Sequence, residues 1–91
     1  MGLYMIVEHF KNEDPVPVYR RFRERGRLAP QGLTSLSSWV DEKLTRCYQV
    51  METENPELLN QWMAEWNDIV EFEVHTVISS AAAAEAVFSR L

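Results

Sequence analysis

The hydrophobic positions of this chain follow two periods, one typical of strands and one typical of helices. Segments 3–10, 33–40, 46–52 and 70–78 are rich in β-branched and aromatic residues, a composition that favours strands. Apolar residues recur at three- and four-residue spacing after Asp14-Pro15 and after Asn55-Pro56, and both dipeptides are typical of helix starts. The order β-α-β-β-α-β predicts an α+β, ferredoxin-like antiparallel sheet with strand order 4-1-3-2 and both helices on one face.

The segments between and after these elements agree with this order. Gly26 is a plausible end for the first helix, and the polar run 41–43 suits a hairpin loop. Ser79 and Ser80 can cap a final alanine-rich helix that reaches Leu91, because alanine has the highest helix propensity. We therefore predict a single ferredoxin-like domain over residues 1–91.

Both faces of the predicted sheet carry apolar residues. Two helices cover only one face of a four-stranded sheet, so the second face needs another cover. A chain of 91 residues buries only about 60% of its unfolded surface when it folds alone. We therefore expect a homodimer formed through the uncovered sheet faces.

Six segments of the sequence resemble a family of small bacterial proteins known as domain of unknown function 3303. They are Tyr4–Phe10, Val18–Phe22, Ser38–Asp41, Arg46–Glu52, Trp62–Trp66 and Phe72–Val74. The resemblance covers nearly the whole chain and implies a dimeric α+β barrel, in which two ferredoxin-like sheets enclose a shared interior. That broad group includes cofactor-free monooxygenases, lactone isomerases, haem-processing enzymes and stress-related proteins. The resemblance carries over no catalytic residue, and a shared fold alone does not define function.

Strand alternation predicts which polar residues line the interior of such a dimer. If the more apolar residues of each strand face the helices, a mainly polar set faces away from them. This set is Tyr4, Glu8, Cys47, Gln49, Glu73 and His75, with Ser37 and Trp39 as neighbours on the second strand. A slip of one residue in any strand would reverse its assignment.

This interior face is compatible with several functions. The first is a module that binds a small apolar or aromatic molecule between the sheets, and its ligand-binding candidates are Trp39, Gln49, Cys47 and Glu73. The second is a cofactor-independent monooxygenase or isomerase, and its candidates for proton transfer are Glu8, His75 and Tyr4. Glu8 and His75 lie on strands that should be adjacent, so they could form an acid/base pair or a purely structural interface pair. A purely structural dimer is the third possibility.

Two tryptophans and two histidines carry further expectations. Trp62 and Trp66 share one face of the second helix, which predicts core packing against the sheet and no part in a ligand site. His9 and His75 are expected on opposite faces of the sheet, without the spacing of a metal motif. The sequence therefore predicts no metal site and no cofactor.

The net charge and the cysteine content limit the classes of binding partner and the cellular location that we expect. The net charge of −5 disfavours nucleic acids and anionic membranes as partners, because proteins that bind them present basic surfaces. A single cysteine, Cys47, allows no intrachain disulfide, and the apolar run 3–7 is too short to span a membrane. These features predict a cytoplasmic protein.

Five of the nine basic residues lie between Arg20 and Arg27, where they could receive a phosphate or form a solvated face balanced by acids such as Glu24, Glu57 and Glu65.

Overall fold

A computed structural model describes residues 2–91. Its elements are β1 (Gly2–Phe10), a short 3-10 turn (Lys11–Glu13), α1 (Val16–Arg25), β2 (Thr34–Val40), β3 (Arg46–Thr53), α2 (Glu57–Ala64), β4 (Val70–Val77) and α3 (Ser80–Phe88). The strands form one antiparallel sheet in the order β2-β3-β1-β4. Both the predicted ferredoxin-like fold and the predicted strand order are confirmed.

The helix boundaries follow from local hydrogen bonds that the sequence pattern indicated. The Asp14 side chain accepts a hydrogen bond from the backbone N–H of Val16 at 3.0 Å, and the Ser79 hydroxyl accepts one from the backbone N–H of Ala82 at 3.0 Å. These bonds satisfy N–H groups that have no partner inside a helix. Gly26 ends α1 with φ at +73°, a conformation that glycine adopts without the penalty of a side chain.

The hairpin between β2 and β3 is held by one carboxylate. Asp41 Oδ1 accepts hydrogen bonds from the backbone N–H groups of Thr45 and Arg46 at 2.8 and 2.9 Å, and Oδ2 accepts one from the Thr45 hydroxyl at 2.8 Å. The bond from Arg46, with those from Thr45, lowers the pKa of Asp41. The loop therefore fixes the register of β2 and β3 in the part next to it, from Ser37 to Val40, and the register shifts between Ser35 and Ser37.

Helices α1 and α2 cover one face of the sheet and enclose the core. Trp62 is 1% exposed and packs against Phe72 with the ring centroids 5.3 Å apart. The indole N–H groups of Trp62 and Trp66 both donate to the backbone carbonyl of Arg27, at 3.1 and 3.0 Å. The predicted core role of both tryptophans is confirmed, and their shared acceptor ties the segment after α1 to α2.

The register places four residues of the predicted interior set on the helix-covered face instead. Glu8, Cys47 and Gln49 are buried there, and Tyr4 is partly buried against the same core. The prediction for these four residues was wrong because β1 and β3 carry apolar side chains on both faces. Apolarity therefore did not distinguish the two faces.

The other members of that set do lie on the uncovered face. In the register, His75 is paired with Met5, Glu73 with Val7, and Trp39 with Tyr48. Trp39 is 71% exposed. The apolar residues that alternation places on this open sheet face are Leu3, Met5, Val7, Trp39, Tyr48, Val50 and Val77.

Helix α3 follows β4 and is largely exposed. Its large apolar residues Val87 and Phe88 are solvent-accessible along with Leu91 just beyond it. No helix within residues 2–91 is both long enough and apolar enough to cross a membrane.

Candidate functional site

A cavity of about 130 Å³ lies between α1 and the sheet. Its polar lining residues are Glu8, Gln49, Cys47, Ser38 and Arg27. Its aromatic lining residues are Phe10, Tyr19, Phe22, Trp62 and Trp66. Glu8, Gln49 and Cys47 are buried and form the closed end, whereas the half-exposed Tyr19 and Phe22 form the mouth.

At the closed end, side chains from the neighbouring strands β2, β3 and β1 form a chain of hydrogen bonds along the covered face of the sheet. The Ser35 hydroxyl donates to Gln49 Oε1 at 2.7 Å, and Gln49 Nε2 donates to Glu8 Oε2 at 2.6 Å. Because Ser35 engages the amide oxygen, the amide nitrogen points to Glu8 and makes Oε2 a hydrogen-bond acceptor. Oε1 of Glu8 takes no part in this chain.

Burial controls the charge of Glu8. The residue is 7% exposed, and the loss of water raises the pKa of its carboxyl above the ordinary value. Hydrogen bonding with Gln49 and Cys47 and the positive charge of Arg27 oppose that shift without cancelling it. A carboxyl with a raised pKa inside a cavity can exchange a proton with a bound molecule.

The thiol of Cys47 is poorly suited to act as a nucleophile. Burial, together with the nearby Glu8 carboxylate, raises the pKa of Cys47 to about 12. Its sulfur lies 3.4 Å from the Ser38 hydroxyl oxygen. Since the thiolate is the reactive form, Cys47 stays neutral and acts as a small wall of the cavity near neutral pH.

Aromatic rings and one cation surround the mouth. Tyr19 packs edge-to-face on Phe10 with the centroids 6.2 Å apart, and the Tyr19 and Phe22 centroids are 6.4 Å apart. The Arg27 guanidinium lies 5.7 Å from the centroid of the Phe22 ring. Burial raises the pKa of Tyr19, and the Cys47 and Glu8 groups add to that shift. Among residues 2–91, the lining of the entrance is therefore apolar apart from one positive group, Arg27.

A second cluster of ionisable side chains lies on the open sheet face. Glu73 is placed between two imidazoles, with Oε1 2.9 Å from His9 Nε2 and Oε2 2.9 Å from His75 Nε2. The hydrogen bond with His75, followed by that with His9, lowers the pKa of Glu73. The expectation that His9 and His75 lie on opposite faces is wrong. Among residues 2–91, no group of three or more histidine, cysteine or acidic side chains has an arrangement suited to a metal ion.

The structure thus divides the predicted site residues into two groups. It brings Glu8, Gln49 and Cys47 together in the cavity and leaves Trp39, Glu73 and His75 on the opposite face of the sheet. The predicted Glu8–His75 pair is wrong, because Glu8 is opposite Phe72 while His75 is opposite Met5. Tyr4 is on the covered face but does not line the cavity.

Several residues of the cavity were missed from the sequence. Trp62 and Trp66 were expected to stay outside any ligand site, but both line this cavity because it lies under the helices. Tyr19 and Phe22 belong to the apolar stripe of α1, and this stripe was the available signal for an aromatic wall above the sheet. Arg27 follows the helix-ending Gly26, and no sequence pattern indicated its position.

The arginine-rich helix is partly neutralised by the segment that follows α2. Arg21 makes a bidentate pair with Asp68 at 2.8 and 2.7 Å and also donates to the backbone carbonyl of Glu65 at 2.8 Å. Arg25 lies 3.8 Å from the Glu65 carboxylate. These pairs favour the interpretation that the arginines of α1 form a solvated face balanced by acidic side chains, and they disfavour a phosphate-binding site.

Comparison with known proteins identifies the family. The model of the family described as Domain of unknown function (DUF3303) matches residues 2–90, so the chain belongs to that family. No curated protein and no solved structure gives a significant match.

Proposed function

We propose that the protein is a homodimeric module that binds a small apolar or aromatic molecule in the cavity between α1 and the sheet. The observation that carries this proposal is the cavity itself, which combines aromatic walls with a buried, hydrogen-bonded carboxyl. Ligand sites are typically concave and apolar with a few convergent polar groups. The strand pattern predicted a ligand between two sheets, whereas this cavity supports a site inside each protomer.

The tryptophans provide a selective assay for binding. Trp62 and Trp66 line the cavity, and Trp39 lies on the opposite face of the sheet. In a ¹H–¹⁵N correlation spectrum, single-ring aromatic probes should shift the indole N–H signals of the first two and leave that of Trp39 unchanged. Equal shifts at all three indoles would indicate nonspecific contact, and no shift for any probe would remove the binding function and leave the structural dimer.

The size of the exposed surface supports a second copy of the chain as the cover of the open sheet face. The accessible area is 6258 Å², about 800 Å² above the roughly 5,500 Å² expected for a folded monomer of this mass. One partner buries about 800 Å² in a standard interface, so an excess of this size is enough for one, with the exposed helix α3 contributing part of it. The radius of gyration, 14.9 Å, also exceeds the value of about 12 Å expected for this length.

A charged substitution on the open face tests the dimer. Val50 lies on this face, where Val50→Asp should convert a dimer into a monomer in light-scattering measurements at micromolar concentration. Val16→Asp, at an exposed position of α1, is the matched control and should remain dimeric. A wild-type protein that is monomeric under these conditions, with its fold intact by circular dichroism, would refute the interface.

Proton-transfer catalysis is a second candidate function because Glu8, only 7% exposed, lines the cavity, and its burial raises the pKa of its carboxyl. Of the three predicted catalytic residues only Glu8 lines the cavity, so a reaction there would use Glu8 without His75 or Tyr4. Incubation of a bound probe followed by mass spectrometry separates the two functions. Unchanged probe supports a carrier or sensor, and product that disappears with Glu8→Gln supports an enzyme.

A further inference from the structure

We infer that the molecule held in the cavity is a neutral single-ring aromatic compound with a hydroxyl-type hydrogen-bond donor, of which phenol is the simplest example, and that this donor binds Glu8. The inference rests on the proposed function and adds the chemical class of its ligand. It follows from the hydrogen-bond directions at the closed end, the charges around it, and the size and lining of the cavity.

The hydrogen-bond directions make the closed end an acceptor. Ser35 donates to Gln49 Oε1, which commits the Gln49 amide N–H to Glu8 Oε2. The amide of Gln49 and the positive charge of Arg27 favour the ionised form of Glu8. In that form the carboxylate accepts several hydrogen bonds and donates none, so it favours a ligand that donates. A ligand without a donor would displace solvent from the carboxylate and offer no hydrogen bond in return, which is unfavourable.

The charges favour a neutral donor over an ionic one. An anionic head group would meet the buried Glu8 carboxylate, and like charges at short range repel. A cationic head group would have to pass Arg27, which lines the same cavity, and lose its hydration. A phenolic hydroxyl has a pKa near 10, like that of tyrosine, and stays neutral near pH 7.

The size and walls of the cavity select one aromatic ring. A volume of about 130 Å³ is close to the roughly 150 Å³ of a dry cavity that accepts benzene in another protein. The rings of Phe10, Tyr19 and Phe22 already pack edge-to-face or tilted, and such arrangements extend readily to one further ring. A fused or multi-ring molecule would exceed this volume and extend out through the mouth formed by Tyr19 and Phe22.

The experiment compares ligands of nearly equal shape with the wild-type protein. Phenol, toluene and benzaldehyde are titrated separately, and dissociation constants are taken from the indole signals of Trp62 and Trp66. Phenol should bind about 10- to 100-fold more tightly than toluene, as expected for one hydrogen bond to a charged acceptor. Benzaldehyde, which only accepts hydrogen bonds, should be as weak as toluene or weaker.

Glu8→Gln should reverse part of this preference. The new amide must offer its oxygen to Gln49, so it presents an N–H donor to the ligand. Benzaldehyde should then bind at least as tightly as phenol. Glu71→Gln, at an exposed position on the open sheet face, is the matched control and should keep the wild-type order.

The outcomes separate this inference from the proposed function. If toluene binds the wild-type protein as tightly as phenol, the cavity binds aromatic molecules without using Glu8, and only the present inference is overturned. If no probe shifts the cavity indoles, the proposed function fails as well. The comparison of phenol with toluene needs no variant, so it decides the inference even if Glu8→Gln does not fold.

Discussion

Truncation of Trp62 tests whether the cavity is built on a packed core. Trp62 is 1% exposed, and Trp62→Ala should lower the free energy of unfolding by about 3–5 kcal/mol, the range for removing a large aromatic side chain from a core. The loss comes from packing. The Arg27 carbonyl keeps a donor, because the Trp66 indole N–H also binds it. For a domain of 91 residues, that is a large part of a total stability of about 5–14 kcal/mol.

Urea denaturation followed by circular dichroism measures this loss, with Trp39→Ala as the matched control. Trp39 is 71% exposed, so its truncation should change the stability of the protomer by less than about 0.5 kcal/mol. Comparison at equal protein concentration is needed, because Trp39 lies on the proposed dimer face. Equal losses for the two variants would refute the assignment of Trp62 to the core. If Trp62→Ala is too unstable to measure, Trp62→Phe should show a smaller loss in the same direction.

Three further predictions concern titration and partners. The pKa of Glu8 is raised above 4.5 by burial, so the native state binds its proton more tightly than the unfolded chain. The free energy of unfolding should therefore decrease as the pH rises from 4.5 to the native pKa of Glu8. In urea denaturation, this decrease should be absent from Glu8→Gln and present in the control Glu71→Gln. Cys47, with a pKa of about 12, should react slowly with a thiol reagent at neutral pH and fully in urea, and rapid native labelling would refute its burial. The acidic chain should not bind labelled DNA or RNA at physiological salt, and salt-dependent anisotropy changes at sub-micromolar protein would overturn that prediction.

The fold was predictable because local signals agreed with one another. The Asn55-Pro56 start of α2 and the Ser79 cap of α3 are both present in the structure. The polar residues of β4 were also placed correctly, because Glu73 and His75 alternate with Phe72 and contrast clearly with it. In these segments the sequence pattern alone was sufficient to predict where the helices begin and which face of the sheet each β4 residue occupies.

The composition of the site was only partly predictable. Burial of Glu8 and Gln49 depends on mutual hydrogen bonds and on Ser35, and all three residues come from different strands. Alternation within a strand carries no information about such partners, so the polar residues were assigned to the wrong face. The aromatic mouth depends on how α1 lies over the sheet, and helix periodicity alone does not specify that position.

The predicted homodimer, the small-molecule ligand and the cytoplasmic location all remain predictions. The first two share one structural requirement: the sheet must separate a ligand cavity on its helix-covered face from a protein interface on its open face. This division is the central claim, because the sequence alone placed both functions on a single face.

A crystal structure grown in the presence of phenol tests this claim most directly. We expect one phenol molecule per protomer between α1 and the sheet, with its hydroxyl within hydrogen-bond distance of Glu8, and two open sheet faces packed on each other around Trp39. Phenol bound between the two sheets, with the cavity beneath Tyr19 and Phe22 closed by side chains, would contradict the account.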